Sequence, residues 1–406
     1  MNATGLVVEY NPFHNGHAYH AQQAKEQIGN DCTIAVMSGN FLQRGEPSII
    51  DKWHRAEAAL REGVDLVVEL PYVFAVQNSD LFAKGALLTL DALGTDAVCF
   101  GSEQGSIAPF LEGYDAMEQY KDLYEETVRN QLDKGLSFPE ASRYGYEQIG
   151  LTSDEFDLRK PNNILGFGYV KAIKDLHLSI KPTTVQRIHN DYHDEEIRHT
   201  IASATSIRKE LLQAGTMTQR AKSALPESSV HALQSYRERT SCWHSWEHYF
   251  PFLQYRILTM SVDELSEIAG VEEGLQHRIY ETIRIADSFE EWMTAMKTKR
   301  YTRTRLQRMA THVLTHTKKE DLLSLQQLNE VPYVRILGMN ALGKSYMRQV
   351  KKEASVPLLT QPQQFEHSYL TIEERAMDAY LSSLPPSLRK ERRKREFQPP
   401  ILPKKM

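Results

Sequence analysis

Two histidines, His14 and His17, flank Asn15-Gly16 close to the start of the chain. The segment Val7-Val8-Glu9-Tyr10-Asn11-Pro12-Phe13-His14-Asn15-Gly16-His17 follows a β-branched apolar run and leads into Ala18-Tyr19-His20, where a helix is expected. Strand, tight turn and helix in that order make a credible phosphate-binding turn. Asn11-Pro12 ends the strand. Gly16 lets the backbone approach a ligand where a Cβ would obstruct it. The first N–H groups of the helix, at its positive dipole end, are expected to face the phosphates. His14 and His17 can donate hydrogen bonds to oxygens that gain charge during attack at phosphorus. A turn carrying two solvated histidines is the plainer reading, and the order of elements weighs against it.

A second segment, Ser203-Ala204-Thr205-Ser206-Ile207-Arg208, places hydroxyls and an arginine at an expected helix start. Alone it reads equally as a Ser/Thr helix cap. Paired with His14–His17 it is more specific. The two resemble the H-x-G-H and S-S-T-x-I-R signatures of the nucleotidyltransferase superfamily, whose members attack the α-phosphorus of a nucleoside triphosphate and release pyrophosphate. Val8 stands where relatives usually carry glycine, which implies a different approach of ligand to that strand.

The resemblance narrows with Ala35–Pro47, containing Ser38-Gly39-Asn40-Phe41-Leu42-Gln43-Arg44-Gly45-Glu46, with Asp65–Pro71, and with Phe100-Gly101-Ser102-Glu103. These look like the bacterial tRNA(Met) cytidine acetate ligases, along the whole length. The resemblance implies activation of acetate by ATP as acetyl-adenylate. Transfer to the wobble cytidine of elongator tRNA(Met) would then give N4-acetylcytidine, with AMP and pyrophosphate released. It implies nucleotide contacts at Val7, Val8, Glu9, Tyr10, Asn11, Pro12, Phe13, His14, Asn15, Gly16, His17, Ala18, Tyr19 and His20, and at Gly101, Asn162, Arg187 and Ile188. Ser203, Thr205 and Arg208 would grip the outer phosphates. His14 and His17 are the catalytic candidates. Magnesium is expected with the triphosphate, since no protein metal-ligand cluster is visible. No Ser-His-Asp set or reactive cysteine stands out, so catalysis is expected from positioning and charge stabilisation.

Read without the resemblance, Gly101, Asn162 and Arg187 are as well explained by a turn glycine, a helix cap and a surface arginine. Gln43-Arg44-Gly45, Lys52 and Arg55 are weaker candidates for holding acetate or pyrophosphate, with a solvated helix face the alternative for the last two. A small-molecule adenylyltransferase and a non-catalytic nucleotide-binding RNA adaptor are the rival functions. The first needs no basic helical half, and the second needs no imidazoles at the phosphates.

The most basic stretch before the tail is Lys297-Thr298-Lys299-Arg300-Tyr301-Thr302-Arg303-Thr304-Arg305-Leu306-Gln307-Arg308. Lys297, Lys299, Arg300, Arg303, Arg305 and Arg308 fit tRNA phosphate contact, with Tyr301 as a stacking face and a solvated helix face as the plainer alternative. Residues 1–210 hold 19 Lys+Arg against 31 Asp+Glu, and residues 211–406 hold 29 against 22. That asymmetry suggests a polyanion partner held by the back half, with uneven surface charge of no significance an equal reading of the counts alone.

The elements that must position these residues are strand-like runs at Gly5–Val8, Thr33–Met37, Val64–Leu70 and Ala97–Phe100, with a fifth at Thr183–Ile188. Helix-forming stretches separate them, the pattern of a doubly wound parallel sheet. Strand signals stop beyond about Lys209, and the rest reads as helical with a basic tail. The expectation is therefore an α/β, doubly wound, Rossmann-like nucleotidyltransferase domain over residues 1–210, a mostly α-helical tRNA-binding region over 211–384, and a tail over 385–406. The tail is left open between a second RNA contact and a disordered end. At 406 residues the chain has room for two or three domains. Cys32, Cys99 and Cys242 are far apart, which argues against disulfides and zinc. No apolar run is long enough to span a bilayer, and no signal peptide precedes the first strand. A cytoplasmic enzyme without an obligate protein partner is expected.

Overall fold

The computed structural model describes residues 1–153, 156–187, 197, 200–272, 274–325 and 327–403. Seven strands form one sheet: β1 Ala3–Val8, β2 Cys32–Ser38, β3 Leu66–Leu70, β4 Ala97–Ser102, β5 Lys181–Gln186, β6 Val334–Met339 and β7 Leu358–Leu359. Their order is β5-β4-β1-β2-β3-β6-β7, parallel throughout except for β3 against β6. The chain leaves β1 towards β2 and β3, then returns to add β4 on the other side. The carboxyl ends of β1 and β4 thus border a topological switch point, where open α/β sheets bind ligands.

β2 and β3 are fully buried, as their unbroken apolar runs demand of strands covered on both faces. Alternate side chains feed two cores. Ile34, Val36, Leu66, Val68, Val98 and Phe100 enter one, which continues into Trp292, Leu306, Val313 and Tyr380 of the helical half. Ala35, Met37, Val67 and Cys99 enter the other, beneath α1 (Asn15–Ile28) and α2 (Lys52–Arg61).

The helices expected in the back half are present, among them Phe289–Met296, Arg303–Thr315 and Ser368–Leu381. Trp243, Trp246 and Tyr249 are buried core residues. The expectation that strands end near Lys209 is corrected, because β6 and β7 come from beyond it. β6 was illegible because Arg335 interrupts an otherwise apolar Val334–Met339. Its guanidinium is 3% exposed and pairs with Glu396 (2.6 Å) and Glu69 (3.2 Å), so the fold supplies what the strand pattern lacks.

Glu396 ends the helix Pro386–Glu396, so the basic tail is built into the molecule as far as it is described. Beyond that helix, Ile401 exchanges backbone hydrogen bonds with β6, donating to the Leu337 carbonyl (2.8 Å) and accepting from Met339 (2.9 Å). Cys32, Cys99 and Cys242 are free and buried. Among the described residues, no helix is long and apolar enough to cross a membrane.

Candidate active site

β1 delivers the chain to the switch point at Val8, which is buried in the sheet core, with Val7 half-buried beside it. The turn that follows is held from below. Glu9 is half-buried and its carboxylate accepts the Gln43 N–H (2.8 Å). Tyr10 takes a left-handed φ of 49°, and Asn11-Pro12 is cis. Tyr10 and Phe13 are each 1% exposed and meet edge to face (4.6 Å). Asn11 accepts the Ile49 N–H with its side-chain oxygen (2.8 Å) and the Arg208 guanidinium with its carbonyl (2.8 Å).

His14 is the N-cap of α1. Its Nδ1 accepts the Gly16 N–H (3.0 Å), while His17 Nδ1 accepts the His14 N–H (3.3 Å), a reciprocal box of the kind Ser and Glu usually make. The rings stack with centroids 3.7 Å apart. With both Nδ1 atoms accepting, each neutral ring carries its proton on Nε2; the His14 Nε2–H is left to donate, whereas the His17 ring also bonds the Pro12 carbonyl. Burial, aided by the charges of Arg187 and Arg208, pushes the His14 pKa down to about 3. His17 is held well below the ordinary range, first by burial and then by its histidine neighbours. His20 is lowered to about 4, again first by burial and then by Arg187. The site thus presents neutral imidazole donors at pH 7, not cations.

Two local expectations change. A Cβ on Gly16 would meet the His14 ring at 2.9 Å, so the glycine is required for the histidine to cap over it, whatever ligand approaches. The first N–H groups of α1 are engaged inside the protein: Asn15 N–H with the Ala224 carbonyl (3.1 Å) and Gly16 N–H with His14. Asn15 also ties Thr200 (2.8 Å) and Ser223 (3.0 Å) through its amide, a structural duty. Ala18 and Tyr19 lie half-buried on the first turns of α1.

The second signature joins the first. Ser203 caps the helix Ala204–Ala214 by accepting the Ser206 N–H (3.1 Å), and Thr205 is exposed beside it. Arg208 reaches from this helix to Asn11 and to Glu46 (3.1 Å), so one guanidinium clamps the turn to the Gln43–Glu46 loop. At the end of β4, a Cβ on Gly101 would lie 3.1 Å from Arg187. Arg187 donates to the Asn162 side-chain oxygen (3.4 Å), and the Asn162 amide donates to Glu103 (3.0 Å). Gly101, Asn162 and Arg187, far apart in sequence, therefore meet. Ile188 lies outside the described residues. Glu103, which fixes which way the Asn162 amide faces, had no assigned role in the sequence; a carboxylate two residues past Gly101 was the only signal.

Lys52 and Arg55 are 2% and 1% exposed, which rules out the solvated face. Lys52 binds Glu69 (2.6 Å) and Glu396 (2.6 Å), and Arg55 is spent on the carbonyls of Glu9, Ser38 and Gly39. Both anchor the floor of the site, their charged ends turned to protein carboxylates and carbonyls.

The basic run is unevenly available. Lys297, Lys299 and Arg300 are exposed, the last with its guanidinium 6.0 Å from the Tyr301 ring. Arg303 makes two 2.6 Å bonds to Glu290, and Arg305 pairs with Glu272. Arg308 is half-buried.

Residues 1–396 match the family described as HIGH Nucleotidyl Transferase. The tRNA(Met) cytidine acetate ligase of Oceanobacillus iheyensis is 52% identical over 403 residues, covering 99% of this chain and 100% of that protein. The ligase of Bacillus subtilis is 46% identical over 394 residues, with 96% and 94% covered. Crystal structures of Thermotoga maritima TmcAL superpose with TM-scores of 0.89 for the apo form and 0.86 for the form bound with alpha-thio ATP, each 32% identical and covering 99% of both chains. With the histidine turn, the Arg208 clamp and near full-length similarity in agreement, the chain belongs to the HIGH nucleotidyltransferase family and, within it, to the tRNA(Met) cytidine acetate ligases.

Proposed function

We propose that this enzyme uses ATP to ligate acetate to the wobble cytidine of elongator tRNA(Met), through acetyl-adenylate. The observation that carries the reading is the meeting of His14, His17, Arg208, Arg187 and Asn162 at the carboxyl ends of β1 and β4. A carboxylate oxygen of acetate attacks the α-phosphorus, and the bond to the β-phosphate breaks to release pyrophosphate. The cytidine N4 amine then attacks the acetyl carbonyl, AMP departs, and the amine loses a proton to give N4-acetylcytidine.

In the first step negative charge grows on the phosphoryl oxygens and the leaving pyrophosphate. The Nε2–H donors of the two capped rings, that of His17 turning to the phosphates from the Pro12 carbonyl, stabilise that charge. In this reading Arg208 and Thr205 hold the outer phosphates, Arg187 pairs with phosphate, and Asn162 reads the adenine or ribose edge. Magnesium would enter with ATP as the counter-ion of its phosphates. Residues 1–210 supply the nucleotide half and 211–384 the RNA-facing half, and the described part of the tail, to residue 403, ties back to the sheet. A cytoplasmic location follows from the RNA substrate.

The test is pyrophosphate release with ATP and acetate, with and without tRNA, followed by mass spectrometry of the tRNA nucleosides. N4-acetylcytidine formed only with acetate, ATP and elongator tRNA(Met) supports the reading. Adenylylation of a small molecule without RNA overturns it.

A further inference from the structure

Arg308 is the odd member of the basic run. Glu290 neutralises Arg303 and Glu272 neutralises Arg305, but among the described residues Arg308 has no hydrogen-bond or ion-pair partner. It is half-buried, and the charges nearest it, Arg305 and Arg44, share its sign. Burial and then that repulsion lower its pKa to about 10.

Nor is Arg308 remote from the active site. Gly45, at φ +72°, presses so closely on the helix Arg303–Thr315 that a Cβ there would lie 2.3 Å from the Arg308 backbone nitrogen. The Gly45 carbonyl accepts from Thr311 (3.0 Å) and from Trp246 (2.8 Å). On its other side the same loop is bound to the histidine turn, through Gln43 to Glu9 and Glu46 to Arg208. Arg44 and Arg308 therefore stand on one seam, between the turn and the helical half. The Arg44 charge acts on Arg308 across this seam, and an anion reaching both would gain charge-assisted bonding. The planar N–H fork of Arg308, unclaimed by protein, matches the oxygens of a phosphate.

We propose that Arg44 and Arg308 form a phosphate-binding site on this seam, filled by a phosphodiester of the RNA beside the reacting cytidine. This rests on the function proposed above: the cytidine must reach an acyl group held at the turn, which brings its flanking phosphates to the wall of the same cleft. The outer phosphates of ATP are the other source of the same chemistry.

The experiment uses the full chain as wild type, Arg308→Ala, Arg308→Lys and Arg44→Ala, with tRNA binding followed over a salt series and the KM for ATP taken from pyrophosphate release. Arg308→Ala is expected to weaken tRNA binding roughly ten- to 100-fold, the usual loss of a charged hydrogen bond. The log–log salt slope should drop by up to about 0.9. Arg308→Lys should restore the slope but not the whole affinity, because it keeps the charge without the fork. A raised KM for ATP with an unmoved tRNA slope would keep the phosphate site and assign it to the nucleotide. A folded Arg308→Ala protein with wild-type slope and wild-type KM overturns the site. If that variant does not fold, Arg308→Lys and Arg44→Ala are read by the same criteria. A wild-type chain that neither binds tRNA nor releases pyrophosphate would defeat the functional reading itself, and the site with it.

Discussion

Lys52 and Arg55 beneath the histidine turn and Arg300 and Arg303 in the helical half are the same residue types, in or beside helices, and the fold treats them oppositely. The first pair is interior, with every charge met by carboxylates or carbonyls that converge from β1, β2, β3 and the tail helix. The second pair is exposed, with Arg303 held only by a surface carboxylate. Residue type set the charge in both places. Whether acceptors gathered around it was decided by which distant strands and helices came to lie nearby. A buried charge of this kind is costly to orphan, whereas an exposed ion pair contributes little to stability.

That contrast can be broken at its strongest point first. Lys52→Ala leaves Glu69 and Glu396 facing Arg335 alone, and should cost about 3–5 kcal/mol of stability. Urea unfolding measures it; a loss below about 1 kcal/mol would mean the network is not what holds the tail to the sheet.

Next in size, His17→Ala should slow pyrophosphate release about 100- to 1,000-fold while the protein stays folded. The variant also removes the acceptor for His14 N–H, so a small drop in melting temperature is expected with it. Wild-type turnover would remove the imidazole pair from the chemistry.

The histidines make a third, pH-dependent test. Burial holds His14, His244 and His312 at about 3 in the folded chain, against an unfolded value near 6.5. The unfolded chain therefore binds more protons between those values. Stability from this source is full above about pH 6.5 and is lost as pH falls through the window. Melting temperature should decline steadily from pH 7 towards pH 4. In the same samples, the rate of pyrophosphate release should show no imidazole limb near pH 6.5. A flat melting profile would contradict the burial.

The smallest effect belongs to the surface. Arg300→Ala should leave stability within about 0.5 kcal/mol. It should lower the tRNA salt slope by up to about 0.9. Arg303→Ala should lower it less, because Glu290 already competes for that guanidinium. Equal slopes for both variants would show that the ion pair opens on binding, and unchanged slopes would move the RNA surface elsewhere.

Much of the site was legible. The His14–His17 spacing, the break at Asn11-Pro12 and the Ser203–Arg208 segment are local patterns, and local patterns are carried by neighbouring residues. The same holds for the parallel strands β1 to β4, whose apolar runs can sit only where both faces are covered. β6 was not legible, because Arg335 in its middle is affordable only once Glu69 and Glu396 arrive from elsewhere. Glu103 beside Asn162, and Arg308 against the Gly45 loop, were hidden for the same reason.

By itself, then, the sequence determined the chemistry at the turn: which donors it has, that a strand ends there and that a helix begins. Tertiary structure decided what those donors are. Burial makes the two imidazoles neutral, and reciprocal caps put the proton of each ring on Nε2. Arg208 spans 197 residues to clamp the turn. Protonation, exposure and counter-charge depend on everything within a few ångströms of a group, and a chain of 406 residues chooses those neighbours only by folding.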